Sequence, residues 1–240
     1  MKKTKFFFLP LFIYLFNFGF CENFPFNVGE TINYTAKFNF IPAGSAGLKI
    51  VSLDTLNGLP SLHIKYFSKT GAFADRFFKI RDRVDSWVDA KKLFLLKQSK
   101  SIRQGSYKKN SKTQLNYIDS IAIVGQDTIP ILEHVFNPYS LFYYLRTIPL
   151  NVGETLTLTT FDNKSFTDFL LRVDKIESIK VPAGDFNCIV VKPYRDGKTL
   201  LKNEGDMTMW FTNDKRRIPA QILVKLKYGT MTLKLNSFSS

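Results

Sequence analysis

A period of two runs through most of this chain. Near its end Ala220, Ile222, Val224, Leu226 and Tyr228 alternate with Gln221, Lys225 and Lys227. Beyond Gly229, Met231, Leu233 and Leu235 alternate with Thr232 and Lys234. Successive side chains of a strand point to opposite faces, so this rhythm describes a sheet with one buried and one wet face. The same rhythm fills Phe77 to Asp89, Ser165 to Val181 and Phe186 to Tyr194. From Thr31 to Leu53 it predicts two strands broken at Pro42-Ala43-Gly44-Ser45, and from Leu93 to Ser120 a hairpin. Turn signals separate the runs, among them Asn57-Gly58, Asp162-Asn163-Lys164, Pro182-Ala183-Gly184 and Asp196-Gly197. The 24 Phe and 10 Tyr suit half-buried pleated surfaces. One segment, Pro138 to Thr147, has helical spacing and a proline suited to a first turn. The prediction is an all-β fold: an antiparallel, curved open barrel or sandwich of about a dozen strands with one short helix.

One phrase occurs twice. Asn27-Val28-Gly29-Glu30-Thr31 precedes the first strand, and Asn151-Val152-Gly153-Glu154-Thr155 precedes a strand midway along the chain. Each reads as a tight glycine turn that launches a strand. The repetition predicts one β domain, residues 22–240, with two related halves at about 26–137 and 148–240.

Residues 1–21 read as a signal peptide, because Lys2, Lys3 and Lys5 precede an apolar run from Phe6 to Phe16. Export to the periplasm or outer envelope follows. Cys21 offers a second reading, a lipoprotein anchor, although Phe20 is bulky where a small residue belongs. Losing the leader's three lysines takes the formal charge from +14 to +11. Cys188 is then the only cysteine, so the domain forms no internal disulfide. Its alternation with Phe186 and Val190 predicts a buried, inert thiol.

The motifs of catalysis are missing. His63 and His134 lie far apart, no cluster has zinc-ligand spacing, and there is neither a phosphate loop nor Gly-x-Ser-x-Gly. No cofactor or metal is expected, and the reading is non-enzymatic. Asp82, Asp85, Asp89, Glu177 and Asp214 still leave carboxylate-based glycan hydrolysis open. Asp82 falls in phase with Phe78, Ile80, Val84 and Val88. A carboxylate on an apolar face needs a partner or a way to water. Three readings stand: a bulge or barrel rim, a structural pair with an arginine, or a polar group lining a cavity. The candidate polar cluster is Asp82, Arg146, Trp210, Asp214 and Arg217, with Asp82 and Arg146 expected to pair and close the helix onto the sheet. The hairpin from Lys91 to Lys112 holds no acid, and Lys97, Lys100, Arg103, Lys108 and Lys109 make a candidate basic patch.

Several marks, in order along the mature chain, carry a resemblance. They are Val28-Gly29-Glu30 with Tyr34, Ile41-Pro42-Ala43-Gly44, Phe78-Lys79-Ile80-Arg81-Asp82 with Asp89, and Tyr144-Leu145-Arg146 before Pro149-Leu150. Pro182 to Cys188, Met209-Trp210, Asp214 and Arg217-Ile218-Pro219 complete them. The chain resembles an exported bacterial family known as domain of unknown function number 3108. The resemblance implies an envelope β protein, mostly of Gram-negative bacteria, and no particular activity. The expected function is a cell-envelope binding or carrier protein for an apolar or amphipathic ligand such as lipid. The alternative is an interaction protein that meets an anionic envelope polysaccharide or a partner protein through the basic hairpin. Nucleic acid is not an expected partner, and contact with membrane is peripheral at most.

Overall fold

Asn57 and Gly58 show how directly the residues set the shape. Both take positive φ, 51° and 79°, the geometry of a two-residue turn whose twist matches that of paired strands. They join β2 (Ile41–Leu56) to β3 (Leu59–Thr70) in register, Leu56 opposite Leu59. The structure, a computed structural model, describes residues 24–131, 133–195 and 206–239. The expected leader, Cys21 and the Asp196-Gly197 turn lie outside them.

The first half is a meander. It begins with β1 (Thr31–Phe38) and continues past β3 through β4 (Arg81–Asp89), β5 (Leu95–Gln104), β6 (Tyr107–Asn116), β7 (Ile121–Val124) and β8 (Asp127–Pro130). Then comes α1 (Ser140–Thr147). The second meander is β9 (Thr155–Asp162), β10 (Ser165–Val181), β11 (Gly184–Tyr194), β12 (Met207–Thr212), β13 (Pro219–Leu226) and β14 (Gly229–Ser239). All lie in one 14-stranded antiparallel sheet of order β8-β7-β6-β5-β4-β3-β2-β1-β14-β13-β12-β11-β10-β9. The first and last strands therefore pair at its centre, Tyr34 opposite Leu235.

The sheet curls without closing. Its edge strand β9 reaches β5, ten places away in the order. Val135 and Phe136 bridge the gap: Leu95 N–H donates to the Val135 carbonyl at 2.8 Å, and Phe161 N–H to the Phe136 carbonyl at 2.8 Å. Of the two expected architectures this is the open barrel.

Helix α1 plugs the interior. Asn137, wholly buried, prepares its start by accepting from Tyr139 N–H and Ser140 N–H at 2.9 and 2.6 Å and donating to Ser86 Oγ at 2.7 Å. Pro138 thus belongs to this turn, and the helix begins two residues later than expected. Leu141, Tyr143 and Leu145 join the main core with Leu48, Ile64, Leu171 and Ile222, contributed by both meanders. Enclosure on several sides explains why burial is not confined to one stripe.

The expected break at Pro42 is absent. The turn falls at Asn39-Phe40, and Pro42 sits inside β2 opposite Lys37, where the register shifts. A bulge tolerates a residue with no N–H to give.

Candidate functional site

The twin phrase folds twice into the same turn. Gly29 and Gly153 take φ of 99° and 93°. Glu30 N–H bonds the Asn27 carbonyl at 3.1 Å, as Glu154 N–H bonds that of Asn151 at 3.1 Å. Gly29 N–H reaches Ile50 and Gly153 N–H reaches Val173, both at 2.9 Å. The two glutamates then part ways. Glu154 is exposed beside Asn151. Glu30 is buried and grips Arg146 with both oxygens, at 2.5 and 2.8 Å.

Arg146 is the hub of that end of the barrel. Its Nη2 also donates to the Pro25 carbonyl at 3.0 Å and its Nε to that of Arg216 at 2.9 Å. The guanidinium lies 5.0 and 5.3 Å from the ring centres of Phe26 and Tyr143. Arg217 donates to the Ile148 carbonyl just beyond α1. Asp214 shapes the turn that carries these arginines: it accepts from Thr212 Oγ1 at 2.7 Å and from the N–H groups of Arg216 and Arg217 at 3.1 and 3.0 Å. Burial pushes its carboxyl up, but Thr212 and Arg216 outweigh this and hold it below the usual range. Arg146, Asp214 and Arg217 therefore do meet, as a clasp on the C-terminal end of α1.

Asp82 and Trp210 do not join them. The expected Asp82–Arg146 pair is corrected: Arg146 belongs to Glu30, and Asp82 accepts from Arg103 N–H at 2.9 Å and Gln104 Nε2 at 2.6 Å. Asp82 is the second residue of β4, at the end of the barrel opposite the twin turns, and is buried with these two donors. Trp210 donates from Nε1 to Glu177 at 2.7 Å.

The basic residues divide between two faces. Register puts Lys97 opposite Trp87 and Arg103 opposite Lys108, on the outer face. Lys97 lies 4.8 Å from the Trp87 ring centre. Lys100 points inward, is buried and pairs with Asp162, while Lys109 donates to Asn163 at 3.2 Å. The alternation of a strand cannot place all five on one surface.

Between α1 and the sheet lies a cavity of about 470 Å³. Its walls are mainly apolar: Tyr34 and Leu48 from the first meander, Leu141 and Phe142 from α1, Met209 and Ile222 from the second. Thr160, Asp162, Asn163 and Ser165 give one end polar groups. Its size falls within the roughly 300–1,000 Å³ of small-molecule sites, which are also mostly apolar with a few polar groups. Sequence reasoning expected a carrier for an apolar ligand but singled out no residue as lining a cavity. Met207, Met209, Ile222 and Val224 share the inner phase of β12 and β13, and that phase was the available signal.

Among the described residues no group of three or more His, Cys, Asp or Glu could hold a metal ion. The five acids weighed for hydrolysis all hold structure. Asp85 bonds His63 and Arg83, Asp89 caps the turn at Lys91 and Lys92, Glu177 bonds Lys175 and Trp210, and Asp82 and Asp214 act as above. Among the described residues no helix is long and apolar enough to cross a membrane.

The fold defines a class, an open β-barrel-like protein with a helical plug. The chain belongs to the family described as "Protein of unknown function (DUF3108)", which matches residues 33–236. No curated protein matches the sequence. The fold is similar to the crystal structure of a β-barrel-like protein of domain of unknown function DUF1849 from Brucella abortus. The two are 10% identical, with a TM-score of 0.59 over 88% of this chain and 97% of that one. A predicted lipoprotein of Parabacteroides distasonis, 12% identical, aligns over 90% of this chain and 97% of its own at a TM-score of 0.42. That likeness is too loose to carry an argument.

Proposed function

We propose that this is a non-catalytic binding or carrier protein of the cell envelope, whose cavity holds an apolar or amphipathic ligand such as a lipid. The observation that carries the reading is the cavity itself, walled mainly by apolar side chains of both meanders and α1, with polar groups supplied by the β9–β10 hairpin. An apolar chain would lie along the walls, and a polar head would meet Thr160, Asn163 and Ser165. The expected leader supports an envelope location. The structural engagement of every candidate carboxylate supports a role in holding rather than cleaving.

Mass spectrometry of solvent extracts from protein purified without detergent tests the reading. Wild type should carry lipid, or take up a fluorescent fatty acid, and Leu233→Trp, which fills the cavity, should lose it while melting as wild type does. Empty wild-type protein that also ignores the probe would sink the idea.

A further inference from the structure

Strand direction sorts the connections between two ends of the barrel. The twin turns and the Arg146 clasp lie at one. At the other lie the β1–β2, β3–β4, β5–β6, β9–β10 and β13–β14 connections. The polar end of the cavity, at Asp162, Asn163 and Ser165, opens there too.

Every exposed aromatic side chain among the described residues is at this second end. Phe40 and Tyr228 stand on neighbouring turns and are 94% and 83% exposed. Phe73, Phe77 and Phe78 project from the β3–β4 connection, Phe77 at 78%. Tyr107 and Phe166 lie at the starts of β6 and β10. The exposed large apolar residues toward the opposite end, Val28, Leu53, Leu59, Ile118 and Val152, are all aliphatic.

These tips are fixed to one another. Asn39 N–H donates to the Thr230 carbonyl at 2.7 Å, Gly71 N–H to that of Ala43 at 3.0 Å, and Gly105 N–H to that of Lys79 at 2.8 Å. The Phe78 ring stands where a side chain on residue 105 would be. Arg81 holds Asp75 with bonds of 2.6 and 3.0 Å and so braces the turn between Phe73 and Phe77. Ordering these aromatics at a surface therefore demands little further loss of freedom.

The charges among them are mostly positive. Lys37, Lys69, Arg76, Lys79, Lys108 and Lys227 are exposed at this end. Of its acids among the described residues, Asp75 is held by Arg81, Asp127 by Lys164 and Asp162 by Lys100, Asp82 accepts from Arg103 N–H and Gln104, and Asp206 is exposed. Aromatic side chains collect at the head-group level of bilayers, and lysine and arginine are drawn to anionic lipid. A ring of protruding tips that mixes the two fits a lipid surface better than the flat, charge-depleted centre of a protein interface.

We propose that this end of the barrel docks on an anionic bilayer surface, with Phe40, Phe77 and Tyr228 entering the head-group layer and the cavity mouth facing the lipid. Docking there places the mouth where a lipid leaves or enters the membrane.

Co-sedimentation with vesicles of phosphatidylcholine alone, or mixed with phosphatidylglycerol, tests the proposal. Wild type should bind the mixed vesicles, release them in high salt, and bind the neutral ones weakly. The triple variant Phe40→Ser/Phe77→Ser/Tyr228→Ser should bind about tenfold more weakly, since affinity follows the apolar area buried in the interface. Lys37→Gln/Lys79→Gln/Lys227→Gln should lose the preference for the charged vesicles. Ile118→Ser, at the far end, should change nothing. Melting curves confirm that each variant folds. Absent wild-type binding, undiminished binding by the aromatic variant, or equal loss in Ile118→Ser would each overturn the proposal. The aromatic variant should still take up a soluble fatty-acid probe, so a failure to dock and a failure to carry ligand are read separately.

Discussion

Among the ion pairs of the described residues, Glu30–Arg146 is the most deeply buried. Both are buried, and each satisfies the other with two hydrogen bonds. Removing one partner strands a charge in the interior, so Arg146→Met should cost about 3–5 kcal/mol. Adding Glu30→Leu should restore much of that stability, because an apolar pair carries no desolvation penalty. Urea unfolding of the two variants measures the difference; equal loss in both would show that the charge pair is not the cause. Half of this pair was legible in the sequence. Arg146 was picked out with Asp82 as its expected partner, but Glu30 lies in a turn whose twin is plainly solvated. Which copy is buried depends on contacts 116 residues away, beyond the reach of local pattern. Cys188 was simpler, because alternation alone put it inside. Burial, aided by Asp214 and Glu177, pushes its thiol up to about 12. It should react with a thiol reagent only on unfolding, as peptide mapping of labelled protein would reveal.

At the scale of elements, the two launching turns offer a paired test. A methyl group on Gly29 or Gly153 meets no atom within 4 Å. The cost of Gly29→Ala and of Gly153→Ala is therefore conformational, about 1–2 kcal/mol each for a side chain forced into left-handed backbone. Thermal melts should show similar losses; a much larger one at either site would point to contacts that the turns do not share. The β3–β4 connection answers to pH instead. Hydrogen bonds from Arg81, then Thr70, hold the Asp75 carboxyl down at about 2, against an ordinary 3.8. A depressed carboxyl stabilises above its unfolded value and loses that effect as pH falls through the folded one. The brace should thus persist at neutral pH and fade between about 3.8 and about 2. Asp75→Asn should speed hydrogen exchange of residues 71–80 at neutral pH; unchanged exchange would mean the loop is held by its other bonds. Hairpins such as Asn57-Gly58 were readable because two residues fix them. Pro42 misled because proline usually ends a strand, and only the bulge opposite Lys37 makes room for it.

For the whole molecule, alternation told which side of a strand faces inward but not which strand lies beside it. The all-β character, the antiparallel pairing and the plugging helix could be read from residues 31–239. The order of strands could not, because it is set by pairings such as Tyr34 with Leu235 that share no local signature. Without β14, 11 residues long, β1 would have a bare edge. Deleting β14 should therefore abolish cooperative melting rather than trim it, and a truncated chain that still melts sharply would disprove the dependence. Long-range pairing of this kind also makes folding slow. A chain threaded N-terminus first through a narrow channel would keep its earliest strand waiting, half-matched, until the tail came free.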